Sequence, residues 1–503
     1  MLQLFVLSIC LGLAYHIFSR GRSPMPPGPP KLPVIGNLLD MPFRHDWEEF
    51  SRWGDLYGPL VSVSTFTTNV VIINTYKKAL EILDKKSPIY SCRPYLPMVS
   101  DLMGWSKSLG FLPYGARLRQ TRKIFHQELG KNSGIRTFYP HEEAQAQNFI
   151  RLCVRQPERL REHCLQHAGA IILRVAYGYT AKDKDDEMIK AANDAMATLG
   201  PAIAPGYFLV NQIPILRFVP EWFPGANFKR QARIWAPLYD AMVDIPFNYV
   251  IQQLSAGTAE ESFTAKWLQR NLSDEDKDIL KHGSGAMFGA GSETASLIPS
   301  LTASTIYAFF LVMCLYPNVQ RRAQAEVDSA VGRDRLPTYA DQDKMPYLEA
   351  LMKEILRRHI SVPTGGLPHT TTENDIHDGY FVPKGSIVLA NIWKMARDSE
   401  IYKDPEAFNP ERFTGSEPEQ DPREYIFGFG RRICPGRLLA NATVFITIST
   451  CLSVFDISPT EEDGKPVLPE YKAMTGTIGQ LAGFKCKITP RFSEQKLAQL
   501  LDG

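Results

Sequence analysis

The chain has 503 residues, 44% hydrophobic and 22% charged, with a formal net charge of +2. That is ordinary globular composition, too near neutral to favour nucleic acid as a partner, so any basic docking surface has to be local. Its eight cysteines, Cys10, Cys92, Cys153, Cys164, Cys314, Cys434, Cys451 and Cys486, form no CxxC pair and no regular spacing, which signals neither a zinc framework nor a disulfide framework and points to a reducing compartment.

The N-terminus reads MLQLFVLSICLGLAYHIFSRGR, and ten of its first eighteen residues are Leu, Ile, Val or Phe. Eighteen helical residues rise about 27 Å, enough to span a thin bilayer. The first cationic side chains, Arg20 and Arg22, follow the apolar run. A cleaved secretory peptide would open with a basic region, whereas positive charge after the run holds the body in the cytosol. Residues 1–19 therefore read as a single-pass membrane anchor. Residues 20–37 read as a basic, proline-rich hinge: PMPPGPPKLPVIGN holds six prolines and two glycines, which favour stiff extended backbone spacing the body off the membrane. Residues 38–503 then form one domain, with no internal repeat and no linker.

Within that domain LVSVST (60–65) and NVVIIN (69–74) alternate as two short strands around a turn, followed by a helical YKKALEILDKK. YGARLRQTRKIFH (114–126) reads as a helix carrying Arg117, Arg119, Arg122 and Lys123. Helical periodicity recurs over 142–155, 183–199, 274–316, 318–331, 346–358 and 436–453, with strand-like pieces near 376–390 and 468–488. Between 200 and 225 the chain is aromatic, proline-broken and almost uncharged, so it is either a lid dipping toward the bilayer or a packed core segment.

The chemistry concentrates in FGFGRRICPG, residues 427–436, just ahead of an apolar helical run. A structural cysteine wants an apolar face, whereas a thiol beside cations at a helix start has reason to ionise. A thiolate is a strong electron donor to iron. Gly428, Gly430 and Gly436 let backbone pass close to a flat macrocycle, and Arg432 can pair with a carboxylate. Phe427, Gly430, Arg432, Cys434 and Gly436 reproduce the pattern FxxGxRxCxG. In this signature, and along essentially its whole length, the chain resembles the cytochrome P450 superfamily. The resemblance implies a mainly α fold, one large helical domain with small β-sheets plus an N-terminal transmembrane helix. It also implies haem b (iron protoporphyrin IX), with Cys434 the axial iron ligand, Phe427 shielding the sulfur and Arg432 on a propionate.

Further motifs appear in that family's order. Glu354 and Arg357 of KEILRR share a helix face, where alone they would be a weak surface pair. They match the family's ExxR and, with Arg412 of PERF, imply a buried network fixing the segment that leads to the cysteine loop. AGSET (290–294) lies in a long apolar helix, where adjacent acid and hydroxyl side chains are costly unless used. By resemblance Glu293 and Thr294 organise water and relay protons during oxygen activation, with Ala290 and Gly291 opening a groove. Arg122 and His369 of LPHT match positions that contact the propionates, although Leu118 replaces the family's usual tryptophan four residues before Arg122. From Thr294 to Pro317 the spacing exceeds the family pattern by about seven residues around ASLIPSL, close to two turns. Pro299 there should kink or bulge the helix.

The resemblance further implies a haem-thiolate monooxygenase that oxidises a small lipophilic substrate, in the style of fungal natural-product (secondary metabolite) enzymes, at the endoplasmic reticulum membrane with its catalytic domain in the cytosol. The chain carries no flavin module, so electrons from NADPH must arrive through a separate flavoprotein reductase, with cytochrome b5 as a second donor. Arg117, Arg119, Arg122, Lys123, Arg431 and Arg437 form the basic patch to steer it. The segments 96–111, 200–225, 362–368 and 475–479 should line the substrate pocket. Two rivals stay open. A haem-thiolate isomerase or dehydratase would need no Glu293 and Thr294 relay, and a non-catalytic haem-binding protein would show no substrate-dependent NADPH consumption.

Overall fold

A computed structural model describes residues 23–42, 45–66, 68–182, 186–204, 206–291, 301–472, 479 and 481–502. The anchor expected over residues 1–19, the first residues of the hinge, and the ASLIPSL segment through residue 300 lie outside the described residues. The hinge from residue 23 onward is not a free spacer. Proline carbonyls still accept hydrogen bonds although the ring nitrogens donate none. Ser62 N–H donates to Pro27 O at 2.9 Å and Phe381 N–H to Pro24 O at 2.7 Å, so the stretch lies along the sheet edge.

Helix α1 (Asp46–Tyr57) sits on a four-stranded sheet of order β1 (Leu60–Thr65), β2 (Thr68–Ile73), β6 (Ile387–Ala390), β3 (His369–Thr370). β1 and β2 pair antiparallel in the register Leu60 to Ile73, and β2 runs parallel to β6. The period-2 pattern splits the strands between two cores. Val61, Val63, Val70 and Ile72 pack with Phe50 and Trp53 of α1, while Leu60, Val71 and Ile73 face the other side with Val388 and Ala390. Two-stranded ribbons complete the β structure among the described residues: β4 (Asp375–His377) with β5 (Tyr380–Val382), β7 (Phe455–Ser458) with β10 (Lys487–Pro490), and β8 (Thr460–Glu462) with β9 (Lys465–Val467).

The remainder is helical, as expected: α2 (Ala116–Leu129), α3 (Tyr139–Arg155), α4 (Leu160–Tyr177), α5 (Glu187–Ile203), α6 (Asn227–Ala256), α7 (Phe263–Leu268), α8 (Asp274–Gly291), α9 (Leu301–Leu315), α10 (Pro317–Val331), α11 (Pro346–Arg358), α12 (Arg437–Val454) and α13 (Glu494–Asp502). Local chemistry sets several ends. Asp186 caps α5 by accepting from Met188 and Ile189 N–H, and α6 stops at Gly257, whose φ of +72° suits the left-handed cap. Helix α6 contains Pro237 and Pro246, residues that a periodicity reading treats as breaks, and its burial against α5 and α8 overrides them. Helices α8 and α9 both lie on α4. Helix α12 is apolar and long enough to cross a membrane, but 78% of it is buried inside the domain, where it packs on α3, α9 and α10.

Candidate active site

The cysteine loop is bent by its own backbone. Cys434 N–H donates to Phe427 O at 2.8 Å, and Gly428 N–H to Tyr425 O at 3.0 Å. Gly428 and Gly430 take φ of +80° and +52°, a region costly for L side chains. A Cβ at Gly430 would lie 2.3 Å from the Leu83 carbonyl oxygen, so that position admits glycine alone. Gly436 is the N-cap of α12, and its N–H donates to the Cys434 sulfur.

Burial pushes the Cys434 thiol up, while the Gly436 N–H, Arg122 and Arg437 pull it back. Of the loop's neighbouring arginines, only Arg437 acts on the sulfur, joined by the sequence-distant Arg122. Arg431 is exposed with its guanidinium 4.9 Å from the Tyr114 ring centre, and Arg432 turns to backbone carbonyls. Burial outweighs these pulls, and a metal cation at the sulfur would favour the thiolate.

Above the loop four groups from separate elements converge. Arg432 donates to the carbonyls of Ser91 at 2.8 Å, Leu109 at 3.3 Å and Leu112. Arg93 donates to those of Gly110 at 3.1 Å, Leu367 and Pro368 at 2.9 Å. His369 Nδ1 donates to Tyr90 O at 2.7 Å, and Arg122 projects half-buried from α2 one turn beyond the buried Leu118. Desolvation first, then neighbouring arginines, lowers Arg93 to about 9, Arg432 to about 10 and His369 to about 3. Arg122 is lowered too, by burial and then Arg437, against the sulfur. Among the described residues no carboxylate forms an ion pair with Arg93, Arg122 or Arg432. Clustered guanidinium groups without acids are unfavourable until an anion joins them. An iron porphyrin carrying two carboxylates fits both halves of the site, iron at the sulfur and propionates at the arginines. Phe427, Ala440 and Asn441 are half-buried and border a cavity of about 50 Å³ shared with Thr302 and Val362.

Arg93 is absent from the sequence reading. Its only signal there is a cation between Cys92 and Pro94, in a stretch otherwise poor in charge. Glu293 and Thr294, expected from the resemblance to relay protons, lie outside the described residues; just before them Ala290 is exposed while Phe288 and Gly289 are buried. Glu354, Arg357 and Arg412 do come together. Arg357 holds both Glu354 oxygens at 2.7 and 2.8 Å, Arg412 Nε lies 3.2 Å from Glu354, and all three are buried. Other guanidinium hydrogens go to carbonyls of Ala396, Lys403, Asp404, Pro405 and Ala407 and, from Arg412 at 2.6 Å, to the Glu419 carboxylate, which secures the segment between α11 and the cysteine loop.

A family model described as Cytochrome P450 matches residues 26–480. The chain belongs to the cytochrome P450 family. Its relatives include Cytochrome P450 monooxygenase 208 of Postia placenta, 41% identical over 96% of this chain and 93% of that protein. Cytochrome P450 monooxygenase claR of Ampulloclitocybe clavipes is 38% identical over 95% and 89%, and a tryptamine 4-monooxygenase of Psilocybe cyanescens 36% over 98% and 99%. Members of the family bind haem through a cysteine thiolate, and the protein is a haem-thiolate monooxygenase.

Proposed function

We propose that this cytochrome P450 oxidises a small lipophilic substrate of secondary metabolism, using O2 and electrons passed from NADPH by a separate reductase, at the cytosolic face of the endoplasmic reticulum membrane. The observation that carries the reading is the acid-free cluster of Arg93, Arg122 and Arg432 set over a buried cysteine sulfur. Haem, when bound, supplies the oxygen activation and electron transfer that side chains cannot. Cys434 would hold the iron, with Gly436 N–H tempering the sulfur charge. Phe427 would cover one flank of that sulfur, and Arg93, Arg122, Arg432 and His369 would hold the propionates. Glu293 and Thr294 would position water and deliver protons to the reacting oxygen.

Lipophilic access is supported by the surface. Tyr207, Leu209, Ile215, Phe218 and Trp222 are all exposed, Trp222 by 77%, on short turns between α5 and α6. Val210 and Ala202 pack into the core, while the exposed side chains offer an apolar face that supports contact with a bilayer. On the opposite charge theme, Arg119, Lys123 and Arg431 are exposed and suit an acidic reductase, whereas Arg117 is already paired with Asp278 at 2.7 Å.

The test is co-expression with a fungal reductase in microsomes, fed lipophilic metabolites that include indole amines, with mass spectrometry for products gaining one oxygen atom. The parent should give a carbon monoxide difference band with thiolate character and substrate-dependent NADPH consumption, and Cys434→Ser should lose both. Products formed without O2 or NADPH would replace the reading with an isomerase, and no substrate-dependent consumption with any fed class would replace it with a haem-binding protein.

A further inference from the structure

We propose that His377, Glu81 and Asp378 form a divalent-cation site of the zinc class, outside the haem centre. His377 ends β4, and Asp378 with Gly379 makes the tight turn to β5, at φ of +51° and +79°. Glu81 comes from the wide helical turn Leu80–Lys85 packed under that hairpin. His377 is only 8% exposed, yet its Nε2 makes no hydrogen bond. A buried ring nitrogen without a partner is costly and calls for an explanation.

The nitrogen points at two carboxylates. Glu81 Oε2 lies 3.3 Å from it and Asp378 Oδ1 3.8 Å, and the three candidate ligand atoms all fall within 4.8 Å of one another. A tetrahedral ion with bonds of about 2.0–2.2 Å holds its ligands about 3.3–3.6 Å apart, so one edge is already at its final length and the others close by a side-chain rotation. One imidazole and two carboxylates, with water in the fourth place, is a donor set that zinc accepts. Lys78 now spans the acids, with Nζ 2.5 Å from Glu81 Oε2 and 2.6 Å from Asp378 Oδ2. Its ammonium neutralises the carboxylates and leaves the imidazole nitrogen without a hydrogen bond, so a divalent ion that takes all three groups competes with it directly.

Such an ion would bolt the β4–β5 hairpin to the segment that carries Leu83, whose carbonyl oxygen packs against Gly430 of the cysteine loop. The site is thus two residues removed from the wall of the haem centre without belonging to it.

The experiment titrates zinc into untagged, chelator-stripped holoenzyme against a chromophoric competitor, with metal content read after dialysis. One equivalent should bind the parent. His377→Ala and Glu81→Gln should each weaken it about tenfold or more, and Lys78→Met, which removes the competing cation, should bind more tightly than the parent. The carbon monoxide band, unchanged in Glu81→Gln, reports an intact haem domain. Equal binding by parent and both ligand variants would assign the metal to thiols and overturn the proposal, as would no binding to the parent or weaker binding on loss of Lys78.

Discussion

Glu142 on α3 is fully buried, with its oxygens accepting from the Tyr339 hydroxyl and, at 3.1 Å, from the Thr443 hydroxyl of α12. Burial pushes its carboxyl up to about 8, the two hydroxyls pull it down, and Glu143 adds to the rise. The unfolded chain gives up this proton near pH 4.5, whereas the folded chain keeps it to about 8. Within that window the folded state binds more protons, so stability falls as pH rises from about 4.5 to about 8. Glu142→Gln keeps one acceptor oxygen, places an N–H donor where the protonated acid carries its O–H, and abolishes the titration. Calorimetry should therefore find the variant melting above the parent by a few degrees at pH 8, a gain of order a few kcal/mol, with the two converging near pH 5. Parallel profiles for the two proteins would show that the carboxyl is ionised throughout. At the same scale, Gly430 forbids a side chain through both its φ and the nearby Leu83 carbonyl. Gly430→Ala should displace the loop under Cys434 and lower haem occupancy, measured as the ratio of Soret to protein absorbance. Full occupancy would contradict the contact.

Among elements, α11 is joined to the chain before the cysteine loop by ion pairs rather than apolar packing alone. Glu354 accepts from Arg357 and the Asn409 N–H and is ion-paired with Arg412 at 3.2 Å, so removing one arginine strands charge in a dry interior. Arg357→Ala should cost about 3–5 kcal/mol and appear in denaturant titration as a lower midpoint with haem released early, while Arg357→Lys, which cannot hold both oxygens, should fall between. An apo variant as stable as the parent would remove the network from its structural role. This network was legible because its residues sit at fixed offsets in KEILRR and PERF. The β1–β2 hairpin was legible from alternation, and α12 from its apolar run. Arg437 could be placed near the sulfur from its position three residues after Cys434, whereas Arg122 was legible only through the resemblance, since it lies more than three hundred positions away and only the packing of α2 brings it to the sulfur. Arg93 escaped for the same reason: its partners are carbonyls on two distant loops, a pattern that leaves no trace in residue type. Nor did sequence show that the proline stretch docks, because the carbonyls it uses are common to every residue.

The whole molecule carries two unlike surfaces, an apolar one between α5 and α6 and a basic one around α2 and the cysteine loop. For the first, each large apolar side chain transferred from water is worth roughly 1.5–3 kcal/mol when fully buried. Replacing Leu209, Ile215, Phe218 and Trp222 by serine in a chain starting at residue 23 should move it from liposomes to the soluble fraction by about a hundredfold in partition, and unchanged sedimentation would take the membrane away from this face. The second surface works at longer range. Lys123 is exposed on the same helix from which Arg122 acts on the sulfur, so a partner drawn to Lys123 arrives on the side of the molecule near Cys434. Charges in water act over about 10 Å at 0.1 M salt, and steering of this kind speeds association far more than it tightens the complex. Lys123→Glu should therefore slow reduction by NADPH and reductase severalfold in stopped flow at low salt, and the deficit should shrink as salt rises to half molar. Since the substitution touches no group at the haem site, the carbon monoxide band and the chemical reduction by dithionite should match the parent. A rate unaffected at low salt would place the reductase elsewhere, and a deficit that persists at high salt would make Lys123 a contact rather than a beacon.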